Sequence, residues 1–179
     1  MAGTAGGRRI EVPPAGTRPT SQRVREALFS ALETVVDLRG ALVLDLYAGS
    51  GALGFEALSR GAAVATFVES GRRAVEVLRR NAAALDLPGA DIRHGSVPSV
   101  LAAAPARPYD VVFVDPPYAV TDADLAGVLT AVLRWTEPGA RVVVERAARG
   151  CAPDWPVGFE PLRSKKYGDT ALHWADRVQ

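Results

Sequence analysis

The chain has few of the residues from which disulfide bridges and metal centres are built. Its 179 residues include one cysteine, Cys151, and two histidines, His94 and His173. A single cysteine excludes an internal disulfide and any zinc site built from cysteines, and the shortage of histidine argues against other metal centres. We therefore expect chemistry that uses no metal.

Long hydrophobic runs are missing as well. No apolar stretch approaches the roughly 20 residues that a membrane-spanning helix needs. The first residues, MAGTAGGRR, lack the apolar middle region of a signal peptide, so we expect a cytoplasmic protein with no membrane partner. Hydrophobic residues make up 48% of the chain and charged residues 23%, which is typical of one globular domain, and we expect a monomer.

The net charge of +1 is too small to indicate a nucleic-acid-binding protein by itself, but the positive charge collects in two places. Near the N-terminus, five arginines against Glu11 and Glu26 give a local charge of +3; they are Arg8, Arg9, Arg18, Arg23 and Arg25. Near the C-terminus, Arg163, Lys165 and Lys166 against Glu160 give +2. Two basic ends around a neutral middle are typical of a protein that clamps a polyanion, although any one of these side chains can also belong to a solvated face.

Apolar, β-branched segments alternate with segments of helical periodicity through most of the chain. The predicted strands are Leu42–Leu46, Val64–Val68, Ile92 with its neighbours, Val111–Val114 and Arg141–Glu145. The predicted helices are one that begins after Thr20 or Ser21 and runs to about Val36, then Ala52–Arg60, Arg72–Leu85, Val97–Ala103 and Asp122–Trp135. This alternation predicts a single-domain α/β protein of Rossmann-like fold with a mostly parallel, doubly wound sheet.

The two ends of the chain depart from the alternation. We interpret residues 1–19 as a basic arm, with an edge strand at Arg9–Val12, and residues 20–179 as the domain itself. At the other end, Gly158–Lys165 and Thr170–Ala175 surround the turn sequence Y-G-D. This pattern predicts an antiparallel hairpin that closes the sheet.

A glycine-rich turn follows the first predicted strand. Gly49, Gly51 and Gly54 satisfy G-x-G-x-x-G, and Glu69 stands twenty residues after Gly49, where an acid can accept a hydrogen bond from a ribose hydroxyl. On this evidence alone, a nicotinamide-dependent oxidoreductase or a non-catalytic nucleotide-binding module would fit. Asp45 favours another ligand, because a carboxylate beside the helix N-terminus opposes a pyrophosphate.

S-adenosylmethionine suits this turn better, because it carries an ammonium and a sulfonium and no phosphate. Asp45 can also serve simply as a cap for the glycine loop. The loop after the third strand would lie beside the adenine, read by a backbone amide and a small polar side chain. The predicted cofactor-binding residues are Asp45, Tyr47, Ala48, Gly49, Ser50, Gly51, Glu69, Ser70, Gly95 and Ser96.

The fourth predicted strand ends in Asp115-Pro116-Pro117-Tyr118. The prolines cannot donate to a strand ladder, so they stop the strand and leave a carboxylate, a carbonyl and an aromatic ring at its carboxyl end. Open α/β sheets bind ligands at that end. Two acceptors and a flat ring can hold a planar base by its exocyclic amine, so we predict all four residues to be catalytic. The simpler interpretation is a strand followed by a proline turn and a surface tyrosine.

With D-L-Y-A-G-S-G at the first strand and D-P-P-Y at the fourth, the chain resembles the class I S-adenosylmethionine-dependent methyltransferases that act on exocyclic amines. Residues 16–32 (GTRPTSQRVREALFSAL), residues 44–62 (LDLYAGSGALGFEALSRGA) and the run V-F-V-D-P-P-Y are similar to the RsmD family, bacterial enzymes that methylate N2 of a guanine in 16S ribosomal RNA. The terminal K-Y-G-D-T fits that family's hairpin. The resemblance implies S-adenosylmethionine as cofactor and 16S rRNA as partner, within the small subunit or an assembly intermediate.

Other acceptors remain open at this point, since D-P-P-Y alone fits guanine N2, adenine N6 or cytosine N4. A DNA adenine-N6 methyltransferase normally needs a target-recognition segment, for which 179 residues leave little room. A small-molecule methyltransferase would not need two basic ends.

Overall fold

The apolar runs of the sequence form the strands of one seven-stranded sheet in the computed structural model, which describes residues 1–12 and 21–179. The strands are β1 Leu42–Leu46, β2 Val64–Glu69, β3 Ala90–His94, β4 Tyr109–Val114, β5 Thr136–Ala147, β6 Phe159–Tyr167 and β7 Thr170–Arg177. The helices are α1 Gln22–Leu32, α2 Ala52–Ser59, α3 Arg72–Leu85, α4 Val97–Leu101 and α5 Asp122–Val132, with short 3-10 turns at Gly3–Ala5 and Leu133–Trp135.

The strand order is β3-β2-β1-β4-β5-β7-β6. β1 to β5 run parallel, and β7 inserts antiparallel between β5 and β6. The chain winds outward from β1 through β2 and β3, then resumes at β4 on the other side of β1. This reversal makes the carboxyl ends of β1 and β4 the point where a doubly wound sheet opens a crevice for ligands.

Alternate residues of the central strands fill two separate cores, one on each face of the sheet. On β1, Val43 packs into a cluster that holds Phe29 and Phe113, whereas Leu44 packs with Trp135 on the opposite face. Because side chains alternate along a strand, a wholly apolar strand must be covered on both sides, and the helices provide that cover. Among the described residues, no helix is both long and apolar enough to cross a membrane.

Several element ends differ from the predicted ones. Ser21 caps α1 by accepting the Val24 N–H at 3.3 Å, but the helix ends at Leu32 rather than near Val36. Thr20, the other predicted cap, lies outside the described residues. β5 begins at Thr136, earlier than the predicted start at Arg141, because the pairing with β4 changes register between Tyr109 and Val111 and so extends to Thr136.

The described part of the N-terminal arm packs against the domain. Ala5 is buried and donates its N–H to Ser59 Oγ at 2.8 Å, and Ala2 donates to Glu56 Oε1 at 3.0 Å. The predicted edge strand at Arg9–Val12 is wrong, since these residues form no strand. The physical reason is that the backbone N–H and carbonyl of Glu11 pair with the side-chain amide of Asn81 instead of with a neighbouring strand.

Candidate active site

The two sequence motifs meet across one cavity at the carboxyl ends of β1 and β4. Leu46 pairs with Val114, so Tyr47 and Asp115 leave the sheet at the same level. A cavity of about 690 Å³ opens there. It is lined by most of the predicted site residues, namely Asp45, Tyr47, Ala48, Gly49, Ser50, Glu69, Ser70, Asp115, Pro116, Pro117 and Tyr118.

The glycine turn presents backbone to this cavity. Gly49 and Gly51 have φ of 56° and 81°, the left-handed region that glycine adopts without steric cost. A side chain added at Gly49 would meet no atom within 4 Å, so it would occupy the space of the cavity that Gly49 lines. A Cβ at Gly54 would lie 2.3 Å from the ring of Phe67, so this third glycine serves the close packing of α2 on β2.

Asp45 is a buried carboxylate in the wall of the cavity, with 2% of its surface exposed. Its Oδ2 accepts the Gly54 N–H at 2.9 Å, so it does cap the glycine loop. Burial raises the pKa of Asp45 to about 7; the Gly54 hydrogen bond opposes this shift, and the negative charge of Glu69 adds to it. A cation in the cavity would favour the ionised form, so the wall at Asp45 is a place where a positive ligand group is stabilised.

Glu69 at the end of β2 is held by two backbone amides. Its Oε2 accepts the N–H of Gly49 at 2.9 Å and its Oε1 accepts the N–H of Gly71 at 2.7 Å. The carboxylate is therefore fixed against the glycine turn, and each oxygen retains a second lone pair for a hydroxyl group.

A second cavity, also about 690 Å³, lies beside the first and shares Tyr47 and Ser70 with it. Apolar side chains of α4 and α5, including Leu101 and Val128, form much of its wall. Ser96 lines this cavity, and its Oγ accepts the Ser99 N–H at 3.3 Å to cap α4; its contact with an adenine stays a prediction.

The backbone near this second cavity differs from the prediction at Gly95. Its N–H is donated to the Glu69 carbonyl at 3.0 Å, so another backbone amide of this loop would have to read the adenine. Tyr47, between the two cavities, has φ of 62°, a strained value for a residue with a bulky side chain. Burial also raises the pKa of the Tyr47 phenol.

The D-P-P-Y segment forms a tight turn at the cavity mouth. Asp115 donates its N–H to the Leu46 carbonyl at 3.3 Å, and Val120 donates to the Pro117 carbonyl at 2.9 Å. Pro116 is buried, whereas Tyr118 is 78% exposed. A large exposed ring beside a carboxylate fits a surface on which a flat ligand stacks.

Sequence reasoning missed the opposite wall of the cavity. That wall comes from the end of β5, the turn between β6 and β7, and the start of α1; besides the predicted Arg23, its members are Glu145, Arg146, Ala147, Tyr167, Gly168, Asp169, Thr170, Ser21 and Val24. The turn is held in place because Ala148 donates its N–H to the Asp169 carbonyl at 2.8 Å. The sequence K-Y-G-D-T predicts the hairpin turn, but it does not predict that this turn lines the cavity.

The predicted RNA-contacting residues fall into different environments. Arg23 lines the cavity and is exposed, and the exposed Lys165 and Lys166 lie on β6 just before the hairpin turn that lines the same cavity. In the arm, Arg9 is exposed and Arg8 donates from Nη1 to the Leu85 carbonyl at 2.7 Å. Arg18 lies outside the described residues.

Arg25 does not share this exposure. Its side chain is 14% exposed and its Nε lies 3.5 Å from Oε2 of the buried Glu56. The charge of Arg25 therefore compensates Glu56, and its predicted contact with RNA is replaced here by a structural role.

Comparisons with known proteins match this geometry. The family described as Conserved hypothetical protein 95 matches residues 1–176. The chain is 36% identical to Ribosomal RNA small subunit methyltransferase D of Escherichia coli strain K12, over 96% of this chain and 85% of that protein. The solved Escherichia coli protein yhhF has a TM-score of 0.84 at 36% identity, covering 99% and 96% of the two chains.

A more distant solved structure shares the fold alone. It is magnesium protoporphyrin IX methyltransferase from Synechocystis PCC 6803 with bound SAM, 14% identical, with a TM-score of 0.68 over 88% of this chain and 79% of that one.

Proposed function

Because the chain belongs to the Conserved hypothetical protein 95 family, the RsmD family, we propose that it transfers a methyl group from S-adenosylmethionine to the exocyclic N2 amine of a guanine in 16S ribosomal RNA. The observation that carries this proposal is the cavity that Asp45 and the glycine turn share with Asp115 and Tyr118. In this proposal, a site for a cationic donor and a site for an amine acceptor share one cavity.

The residues present fit S-adenosylmethionine. Asp45 and the turn Gly49–Gly51 would hold the amino-acid end, Glu69 the ribose, and the second cavity with Ser70 and Ser96 the adenine. When bound, this cofactor supplies a methyl group on a positively charged sulfur. The buried Asp45 favours that charge and disfavours the pyrophosphate of a nicotinamide cofactor, so we set the oxidoreductase aside.

Asp115 and Pro116 would activate the amine. The lone pair of an aryl amine is delocalised into its ring, and hydrogen bonds to the Asp115 carboxylate and the Pro116 carbonyl draw it back onto nitrogen. Tyr118 stacks on the base and fixes its plane. Orientation of this kind supplies on the order of 7–11 kcal/mol. Asp115 takes the proton as the new N–C bond makes the nitrogen more acidic.

RNA is favoured as substrate by the name of the relative and by the charges around the cavity. Arg23 lines the cavity, and Lys165 and Lys166 come just before the hairpin turn that also lines it, so both basic regions lie near the acceptor end. The target base must leave its stack, which costs least in a loop of structured RNA. A net charge of only +1 favours a small subunit or an assembly intermediate, where bound proteins share the contacts.

Transfer of tritium from labelled cofactor tests the proposal. The protein is incubated with 16S rRNA, small subunits, tRNA and DNA, and the labelled nucleosides are identified. We expect N2-methylguanosine in 16S rRNA or small subunits, and no label with Asp115→Asn. Labelled N6-methyladenine would instead support the adenine alternative, and equal labelling of DNA would contradict the RNA assignment.

A further inference from the structure

Asn81 is a buried polar side chain on α3 that connects two distant parts of the chain. It is 3% exposed. Its Nδ2 donates to the Ser50 carbonyl at 3.0 Å and to the Glu11 carbonyl at 2.9 Å, and its Oδ1 accepts the Glu11 N–H at 2.8 Å. Both amide hydrogens and the oxygen are thus engaged, which fixes the orientation of the side chain.

One end of this connection is the glycine turn of the donor site. Ser50 stands between two glycines with left-handed backbone, where its carbonyl has few steric restraints of its own. The hydrogen bond from Asn81 holds that carbonyl and therefore the peptide that follows it. Gly49 and Ser50 line the cavity and Asn81 does not, so Asn81 holds the turn without itself lining the donor site.

The other end is the N-terminal arm. Asn81 pairs with both backbone groups of Glu11 as a neighbouring strand would, and Arg80 binds the Glu11 carboxylate through two hydrogen bonds of 2.8 and 2.9 Å. The next residue, Val12, lines the cavity. The same arm carries Arg8 and Arg9, two of the proposed RNA contacts.

We propose that Asn81 is a positioning residue that couples the donor site to the N-terminal arm, so that donor binding and RNA docking strengthen each other. A ligand that immobilises the glycine turn also immobilises the Ser50 carbonyl, and through Asn81 the backbone of Glu11. An arm that is already ordered then binds RNA at a lower entropic cost, and the effect is reciprocal. The RNA half of this inference rests on the proposed function; the coupling of turn and arm does not.

Amide hydrogen exchange with S-adenosylhomocysteine as the probe tests the coupling without RNA. In the wild-type protein we expect the ligand to slow exchange at residues 9–12 by about fivefold or more, the lower end of typical allosteric couplings. In Asn81→Ala that slowing should disappear while the glycine turn is still protected. Unchanged arm exchange in the wild type would overturn the proposal. So would slowing that persists in Asn81→Ala, because the ligand would then act directly on Val12.

A matched pair at the exposed Glu11 keeps the test valid if Asn81→Ala does not fold. Glu11→Pro removes the N–H that Asn81 accepts, whereas Glu11→Ala removes only the carboxylate. By reciprocity, we expect Glu11→Pro to weaken S-adenosylhomocysteine binding by about fivefold in calorimetry and Glu11→Ala by less than about twofold. Equal losses in the two variants would contradict a link through the backbone.

The failure of this inference and the failure of the proposed function have different signatures. If the wild type methylates no ribosomal RNA, the proposed function is wrong, yet exchange in the arm still reports whether Asn81 links it to the donor site. If methylation occurs and the arm does not respond to the ligand, only the coupling is wrong. With both correct, bound 16S rRNA should raise S-adenosylhomocysteine affinity in the wild type and not in Asn81→Ala.

Discussion

Replacing Asp45 by asparagine should make the ligand-free protein more stable at pH 8 and weaken its binding of the donor. Burial raises the pKa of Asp45 from 3.8 to about 7 in the folded protein. Between these values the folded state binds a proton that the unfolded state has lost, so the free energy of unfolding falls as pH rises. At 1.36 kcal/mol per pKa unit, the penalty above pH 7 is about 4 kcal/mol.

Asparagine has nearly the same shape, does not titrate, and still accepts the Gly54 N–H through Oδ1. The difference in unfolding free energy between Asp45→Asn and wild type should therefore grow by about 2 kcal/mol between pH 5 and pH 7, and change little above pH 8. Urea denaturation across this range measures it. Asp154→Asn, which removes an exposed carboxylate, controls for the change in net charge. A stability difference that is the same at pH 5 and pH 8 would refute the reasoning.

The same substitution should remove a pH dependence from donor binding. A cation in the cavity requires the ionised form of Asp45, so wild-type affinity for S-adenosylmethionine should rise about tenfold for each pH unit below the pKa and level off above it. Asp45→Asn should bind weakly at every pH. If the wild-type affinity did not change between pH 5.5 and pH 8, Asp45 would not be the group that meets the positive charge.

The other predictions concern the acceptor, the turn and the basic residues. Asp115→Asn should lower kcat by about 100-fold or more, the scale of lost proton transfer, while S-adenosylhomocysteine affinity measured by calorimetry stays within a few-fold. Gly49→Ala should weaken that affinity because its side chain fills cavity space, and its left-handed φ of 56° should also cost about 1–2 kcal/mol of unfolding free energy; unchanged affinity would move the ligand away from the turn. Arg23→Ala should reduce the slope of log RNA affinity against log salt concentration by about one, the equivalent of one released counterion. Arg25→Ala should instead leave the slope unchanged and cost about 1 kcal/mol of unfolding free energy, because Glu56 loses one of its two neighbouring cations and keeps Arg60. Equal salt slopes for the two variants would contradict the separate roles.

Local signals in the sequence were sufficient for the elements that place the two motifs. The apolar runs Leu42–Leu44 in β1 and Val111–Val114 in β4 indicate buried strands, and the glycine turn and the prolines that follow them mark the strand ends at the cavity. The order of the last strands could not be predicted in this way. The turn sequence indicates that β6 and β7 pair, but which of them lies against β5 depends on packing between distant segments.

Side-chain partners were harder to predict than elements. Arg23 and Arg25 lie two residues apart, which is about 200° around a helix, so helical geometry could have separated the exposed residue from the one that faces Glu56. No comparable signal exists for Asn81, because its partners Glu11 and Ser50 are remote in sequence. The hydrogen bond of the Gly95 N–H could not be predicted either, because the carbonyl that accepts it belongs to Glu69 on another strand.

The position of β6 at the margin of the sheet has a consequence for solubility. Among the residues that the structure describes, this nine-residue strand pairs on one side only, and such an edge is where strands of separate molecules join and aggregate. Pro161 and the cations Arg163, Lys165 and Lys166 make that joining unfavourable. Variants that neutralise these cations to test RNA binding would also lose this protection against aggregation. Their association state should therefore be measured by sedimentation or light scattering before a loss of RNA affinity is interpreted.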